Sequence, residues 1–287
     1  MYYLQLAVNG LSQGLVVGLA ALGVTLVFGI ARFANASAGD SLSFGAYMAL
    51  IGQRMTGSVL AGAGFAIAAS ALAAVLGYRL VFKPLAGRAG VALLVGSIGL
   101  GFLLRGTMGV VFGHQQTMFD VPLSAPYRLG DLAISALDLQ MAVVATLCLA
   151  VAFGTLYFTS IGRQMRAVAD NPDLARVSGI RPERVMIALW ALVGAITAVA
   201  GLILGIKTVV SPEIGWEMLL PAFAAAILGG LGSPVGAVLA GMLLGAAQEI
   251  STPFVGFSYK IALSFVVILF VLLVRPTGLL GRVEGVR

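Results

Sequence analysis

Charge is scarce in this chain. Only 10% of its 287 residues are Asp, Glu, Lys or Arg, and histidine and cysteine occur once each. Soluble domains carry about 25% charged residues, so that class is excluded. The single cysteine, Cys148, lies in an apolar run and rules out a disulfide framework or a cysteine-based metal centre. The single histidine, His114, cannot build a histidine metal site or a conventional catalytic triad. A phosphate loop is missing too. Gly201-Leu202-Ile203-Leu204-Gly205-Ile206-Lys207-Thr208 has its flavour, but the spacing of glycines and lysine is wrong. The chain is therefore expected to be no enzyme and to bind no cofactor of its own.

What is present is apolar. Hydrophobic residues make up 60% of the chain, glycines number 38, and the mean hydropathy is +1.05. No charge occurs between Met1 and Ala31, Met55 and Tyr78, Leu139 and Gly162, Val185 and Ile206, or Met218 and Gln248. Each stretch reaches the roughly 20 residues a helix needs to cross the hydrocarbon core. The first has no basic leader and outruns a signal peptide, so it reads as a retained helix. The expected fold is all-α, a polytopic membrane protein of about eight spans (eight or nine), forming one transmembrane domain over residues 1–287. A net charge of +6 and a pI near 9.8 then reflect basic cytoplasmic loops rather than nucleic-acid binding.

Positive charge collects at Arg79, Lys83 and Arg88, again at Arg163, Arg166, Arg176, Arg181 and Arg184, and finally at Arg275, Arg282 and Arg287. All three regions should face the cytoplasm. Spans at 89–112 and 132–158 leave and return, with Asp120, Arg128 and Asp131 in the outer loop. Between Arg184 and Arg275 the count must again be even. The run 218–250 therefore divides at Gly229-Gly230-Leu231-Gly232-Ser233-Pro234 into helices near 218–230 and 235–250. The short stretch Ser41–Gln53 either crosses, giving nine spans, or re-enters, giving eight. Eight, with an internal N-terminus, is the arrangement favoured.

A repeat joins the two ends of the chain. Gly57-Ser58-Val59-Leu60-Ala61-Gly62 and Gly236-Ala237-Val238-Leu239-Ala240-Gly241 agree at all but one position, and Phe44 and Ala46 meet Phe223 and Ala225 at the same offset of 179. The two runs travel in opposite directions, which marks an inverted repeat with short or broken helices, in halves near 41–112 and 218–274. Gly10, Gly14 and Gly18 set a close-packing register on the first helix, with Gly232/Gly236 and Gly241/Gly245 as further pairs.

Polar groups within spans are candidates for a solute path. They are Asn9, Ser12, Gln13, Asn35, Ser37, Asp40 and Gln248; helix–helix hydrogen bonding is the alternative for the uncharged ones, and a solvated interfacial position for Asp40 and for Glu249. The segment 160–184 is the most informative. Asn171 can cap a helix starting at Pro172, and Gly179 can end it. That leaves Leu174 and Val177 as an apolar stripe in a charged setting, suited to docking in a partner's groove or to lying on the lipid interface.

This segment resembles the coupling loop of ABC-importer permeases: Asp173-Leu174-Ala175-Arg176-Val177-Ser178-Gly179 follows their E-A-A-x-x-x-G pattern. Asn9-Gly10-Leu11-Ser12-Gln13-Gly14, Ala21-Leu22-Gly23-Val24-Thr25-Leu26-Val27-Phe28-Gly29 and Gly45-Ala46-Tyr47 resemble the first third of branched-chain amino acid ABC-transporter permeases. Ile161-Gly162-Arg163-Gln164-Met165-Arg166-Ala167, Ile227-Leu228-Gly229-Gly230-Leu231-Gly232-Ser233 and Arg275-Pro276-Thr277-Gly278-Leu279 extend the resemblance to the whole chain. One segment departs: the family's I-N-F-A-H-G-E is Ala34-Asn35-Ala36-Ser37-Ala38-Gly39-Asp40 here, without the aromatic residue and the imidazole.

The resemblance implies a permease subunit of a bacterial ABC importer in the inner membrane, with a cytoplasmic C-terminus. It implies as partners a second related permease, two cytoplasmic ABC ATPases that hold the ATP, a periplasmic solute-binding protein and membrane lipid. Arg163, Arg166, Asp173, Leu174, Ala175, Val177 and Gly179 would couple to the ATPases, and the cargo would be a small organic solute such as an amino acid or a related polar or carboxylate compound. The competing reading is a stand-alone channel or an ion-coupled carrier.

Overall fold

A computed structural model describes residues 2–121, 127–129, 132–256, 259–275 and 277–281; Arg282, Arg287, Asp131 and Pro276 lie outside them. The helices are α1 (Tyr2–Ala31), α2 (Ala38–Thr56), α3 (Val59–Gly77), α4 (Lys83–Leu85), α5 (Gly90–Phe112), α6 (Ala136–Phe158), α7 (Ser160–Asp170), α8 (Pro172–Val177), α9 (Pro182–Lys207), α10 (Ile214–Gly229), α11 (Pro234–Val255) and α12 (Lys260–Val274). A π-helical turn, Tyr78–Phe82, joins α3 to α4. One small hairpin, β1 (Tyr127–Leu129) against β2 (Leu132–Ile134), interrupts the loop between α5 and α6 and leaves the helical architecture intact. Among the described residues, six helices are long and apolar enough to span a membrane, and Ile214–Gly229 and Ala262–Val274 are shorter apolar helices.

Contacts between helix ends give the chain its direction. Arg32, just past α1, donates to the carbonyl of Ala169 on α7 at 2.7 Å. Lys83 on α4 pairs with Glu183 at the start of α9 at 2.5 Å. The tail after α12 closes the end of α10: Leu279 N–H donates to Leu228 C=O at 2.8 Å and Leu280 N–H to Gly229 C=O at 3.1 Å, satisfying carbonyls that a helix terminus leaves open. Gly29 of α1 meets Gly232 in the turn after α10. The basic regions around Lys83, Arg163–Arg184 and Arg275 thus share one end of the bundle, as the charge pattern requires. At the other end, Gln53 closing α2 donates to the Asp120 carbonyl at 2.5 Å, and Thr117 pairs with Val210 after α9.

It follows that α1 ends, rather than begins, at the basic end, and α2 carries the chain back to the opposite end. The choice between eight and nine segments falls to nine, with the N-terminus opposite the basic end. The sequence favoured eight because the stretch 41–53 looked too short to cross. The helix is in fact 19 residues long, about 28 Å at 1.5 Å per residue. Its polar side chains Asp40 and Gln53, on different sides of the helix, are both buried in protein, so hydropathy does not report it.

The core is built on close backbone approach. α1 and α11 run antiparallel, and a Cβ on Gly10 or Gly14 would lie 2.6 Å from the Cα of Ala246 or Met242. Gly241 and Gly245 of α11 return the contact against Gly18 and Gly14. In lipid, where apolar burial drives little association, this dispersion contact holds the helices together. Helices also pack in a crossed pattern: α1 lies along α11 as α9 lies along α3, α2 pairs with α3 as α10 pairs with α11, and α2 touches α5 as α10 touches α12.

Candidate functional site

Two helices begin inside the bundle. After α1 the chain turns back from the basic end, and α2 starts beside Gly101, midway along α5. After α9 it turns back from the opposite end, and α10 starts against α2, where a Cβ on Gly215 would collide with the Gly39 carbonyl. Gly215 N–H, one of the open donors of the first turn of α10, donates to Ser43 Oγ on α2 at 2.9 Å. Neither crossing leaves room for a side chain at Gly39 or Gly215.

The first break is held by the residues expected on the path. Asn35 Oδ1 accepts from Ser37 N–H at 3.1 Å and from Ser37 Oγ at 2.7 Å, an Asx turn that starts α2. Ala36 N–H donates to Ser97 Oγ of α5 at 3.0 Å. Asp40, in the first turn of α2, accepts from Arg105 Nε at 2.8 Å, and Arg105 Nη2 stands 2.7 Å from the same oxygen without pointing its N–H at it. The other carboxylate oxygen fills the space that Gly101 leaves by having no side chain. Asn35, Ser37 and Asp40 are all buried. Asn35 and Ser37 border a cavity of about 30 Å³, shared with Ser70, Thr197 and Trp190. That volume suits water and is far below an amino-acid pocket.

The solvated interfacial position considered for Asp40 is corrected by these contacts. Asp40 is enclosed and ion-paired, and Glu249 pairs with Lys260 at 2.5 Å. Asp40 lies where an unpaired charge would be costly, and its cation comes from a neighbouring helix.

The remaining polar candidates scatter. Gln248 is buried and donates to Ser264 Oγ of α12 at 2.9 Å. Asn9 is exposed and accepts from Gln5 at 3.1 Å, and Gln13 is half-buried on the same helix. Ser12 stands with two charges: Lys207 of α9 donates to it at 2.7 Å and reaches Asp138 of α6 at 2.9 Å. Asp138, Lys207 and Arg105 were not singled out from the sequence. The signal was there for Arg105, a lone cation in a span that its neighbours make apolar, which must find an acid.

The segment 160–184 folds as its punctuation dictates. Thr159 caps α7, and Asn171 Oδ1 accepts from Asp173 and Leu174 N–H at 3.0 Å each to cap α8. Gly179, at φ +83°, ends the helix in the left-handed conformation that glycine tolerates. Leu174 and Val177 are 64% and 86% exposed, while Ala175 between them is buried. Arg166 is exposed but folds back on the end of α6, donating to the Leu156 carbonyl with its guanidinium 5.7 Å from the Tyr157 ring. Arg163 is exposed, and Arg176 pairs with Asp173 at 3.3 Å. Beside α8 an open cleft is lined by Arg176, Gly179, Arg181, Arg184 and Ile187.

A multi-pass helical bundle with paired internal helix starts, close glycine packing and an exposed amphipathic lever at its basic end defines a membrane permease. The chain belongs to the family described as branched-chain amino acid transport system / permease component, which it matches over residues 6–272. It is 31% identical to the high-affinity branched-chain amino acid transport system permease protein LivH of Escherichia coli K12, covering 99% of this chain and 97% of that one. To the corresponding protein BraD of Pseudomonas aeruginosa it is 32% identical with the same coverage. Among solved structures it resembles PsaBC from Streptococcus pneumoniae in complex with Fab, at a TM-score of 0.50 and 15% identity over 96% of this chain and 93% of that one, a likeness of fold alone. The chain is a permease component of an ABC importer.

Proposed function

We propose that this subunit forms half of the solute path of an importer for a small amino acid or a related carboxylate compound, and couples it to ATP hydrolysis on separate subunits. Its partners are a second related permease, two cytoplasmic ABC ATPases and a periplasmic solute-binding protein. It sits in the bacterial inner membrane with its basic end and C-terminus in the cytoplasm. ATP binds on the ATPases, and this chain holds no cofactor.

The observation that carries the reading is the exposed stripe of Leu174 and Val177 at the basic end, on a segment joined through Arg32 to the first internal break. Arg163, Asp173, Leu174, Val177 and the cleft beside Gly179 face the ATPases; Arg166 and Ala175 fix the segment to the bundle. Movement of 160–184 then passes through Arg32 to the turn at Asn35 and Ser37, and so to Asp40. The offset of 179 carries α1, α2 and α3 onto α9, α10 and α11, and the crossed packing supports an inverted repeat wider than 41–112 and 218–274, beginning at α1 and α9. Rocking of these halves opens the path alternately. An ion-coupled carrier would need a titrating acid within the bundle, and Asp40 is already neutralised by Arg105.

Copurification of the tagged chain from membranes, followed by ATP hydrolysis stimulated by a solute-loaded binding protein, tests this. Recovery of ATPases and a second permease, with hydrolysis lost in Gly179→Pro although insertion persists, is expected. A chain that comes down alone and moves solute in liposomes without ATP overturns it.

A further inference from the structure

Two orphaned polar atoms on different helices belong to residues that border the same cavity. Trp190 on α9 and Ser70 on α3 are each 3% exposed. Neither Trp190 Nε1 nor Ser70 Oγ has a hydrogen-bond partner among the described residues. Buried polar groups are costly to leave unpaired, and folded proteins rarely do so. The other buried atoms in this condition, on Thr25, Tyr47, Gln53 and Arg105, belong to residues that do not line this cavity.

Rotation does not rescue the indole N–H. The Trp190 ring lies on Phe82 with centroids 4.6 Å apart and planes 9° from parallel, and Tyr78 stacks with it at 6.3 Å. Turning the ring toward another acceptor would break both stacks. The Ser70 hydroxyl is free to turn to a carbonyl of its own helix, but that leaves the Trp190 N–H unmet.

Packing explains why a space lies here. Trp190, Val193, Gly194 and Thr197 share one face of α9, and Ser70, Ala73 and Ala74 share one face of α3. The two backbones meet at Gly194, where a Cβ would stand 2.5 Å from the Ser70 carbonyl. Beside that crossing α3 offers only the small Ala73 and Ala74, and about 30 Å³ is left between them, α9 and the first break.

The polar lining suits water in both size and sign. Trp190 Nε1 only donates, whereas Ser70 Oγ donates and accepts. Ser41 and Thr197, which also line the cavity, give their hydroxyl protons to the carbonyls of Ser37 and Gly194 at 2.8 and 3.1 Å, so their oxygens are left to accept. A water takes the indole proton and gives its own to these oxygens, reaching the three or so bonds that a buried water makes. Charged occupants fit less well. The indole N–H opposes a cation, and the buried Asp40 carboxylate, next to Ser41 on α2, opposes an anion.

We propose that this cavity is a hydration site holding one or two ordered waters, which bridge Trp190 Nε1 and Ser70 Oγ and tie α3 and α9 to the first turn of α2. The site belongs to the fold of this chain and does not rest on the importer reading.

A high-resolution structure of the assembled transporter in lipid nanodiscs, with thermal melts of the same particle, tests it. Ordered density is expected within about 3.2 Å of both Trp190 Nε1 and Ser70 Oγ. Ser70→Ala and Trp190→Phe, which keeps a stacking ring, should each lower the melting temperature by a few degrees. The double variant should melt no lower than the weaker single one, because either change already loses the shared water. In a dry cavity the sign reverses: Ser70→Ala removes an unpaired hydroxyl and melts at or above the parent. That result, or additive losses in the double variant, overturns the proposal. If Trp190→Phe does not assemble, the sign of Ser70→Ala and the density decide. Melting should be the same in chloride and gluconate buffers, and a chloride-dependent gain would put an anion in the cavity and overturn the assignment of water.

Discussion

The guanidinium of Arg32 donates to the carbonyl of Ala169 at 2.7 Å and reaches that of Asp170 at 3.4 Å, tying the end of α1 to the end of α7. Arg32 does so from a left-handed backbone at φ +57°, the only non-glycine residue with positive φ among those described. It therefore sits where the chain reverses toward the internal start of α2, and it touches the segment that carries the exposed lever.

This predicts that Arg32 transmits motion. Arg32→Ala should insert and assemble but hydrolyse ATP with little uptake, raising the ratio of ATP consumed to solute moved. Arg32→Gly should uncouple equally while melting higher than Arg32→Ala, because a left-handed residue with a side chain carries a penalty of about 1 kcal/mol that glycine lacks. Uptake and phosphate release in liposomes, with thermal melts in detergent, check both. Coupling retained in the two variants would mean that the contact only staples the helices.

Glycine packing makes a second prediction. Gly14→Leu or Gly245→Leu must push α1 off α11, and the expected loss is about 1–3 kcal/mol or more, seen as a lower melting temperature or failure to fold. Gly64 on α3 has open space around it, so Gly64→Ala should be tolerated and even stabilise slightly. Equal effects at the three positions would argue against the close approach.

The Asp40–Arg105 pair is best tested as a cycle. Asp40→Asn alone leaves a half-buried cation unpaired and should cost about 3 kcal/mol, whereas Asp40→Asn with Arg105→Met removes both charges and should recover most of that loss. Unfolding of the solubilised protein by denaturant reads the difference. Additive losses would mean the two charges do not depend on one another.

Local rules made much of this legible from sequence. The caps at Asn171 and Gly179, the division after Gly229 and the glycine register of α1 depend on neighbours within a few residues, and the structure has each in place. The end shared by the basic loops followed from charge alone. What hydropathy could not report was α2, because a helix enclosed by protein can bury polar side chains such as Asp40 and Gln53. The internal starts of α2 and α10 were likewise hidden, since a break reads as a loop whether it lies in water or in the bundle. Arg105, Asp138 and Lys207 escaped notice because each is a lone charge whose partner lies on another helix. The resemblance supplied the transporter class; the placement of Asp40 beside Arg105 needed the fold.

The lever itself makes the last prediction, and burial separates its two roles. Leu174 and Val177 face outward, so Leu174→Asp and Val177→Asp should leave the melting temperature unchanged while the ATPases no longer copurify. Ala175 faces inward, so Ala175→Asp buries an unpaired carboxylate and should lower stability before it affects binding. Asn171→Ala removes the cap and should cost about 1 kcal/mol, fraying α8 without changing its exposed stripe. If α8 instead rested on lipid, Leu174→Asp would release no ATPase and would change only how the segment meets the bilayer. Copurification at matched expression therefore decides between a docking helix and an interfacial one, because only the first makes ATPase recovery depend on two apolar side chains.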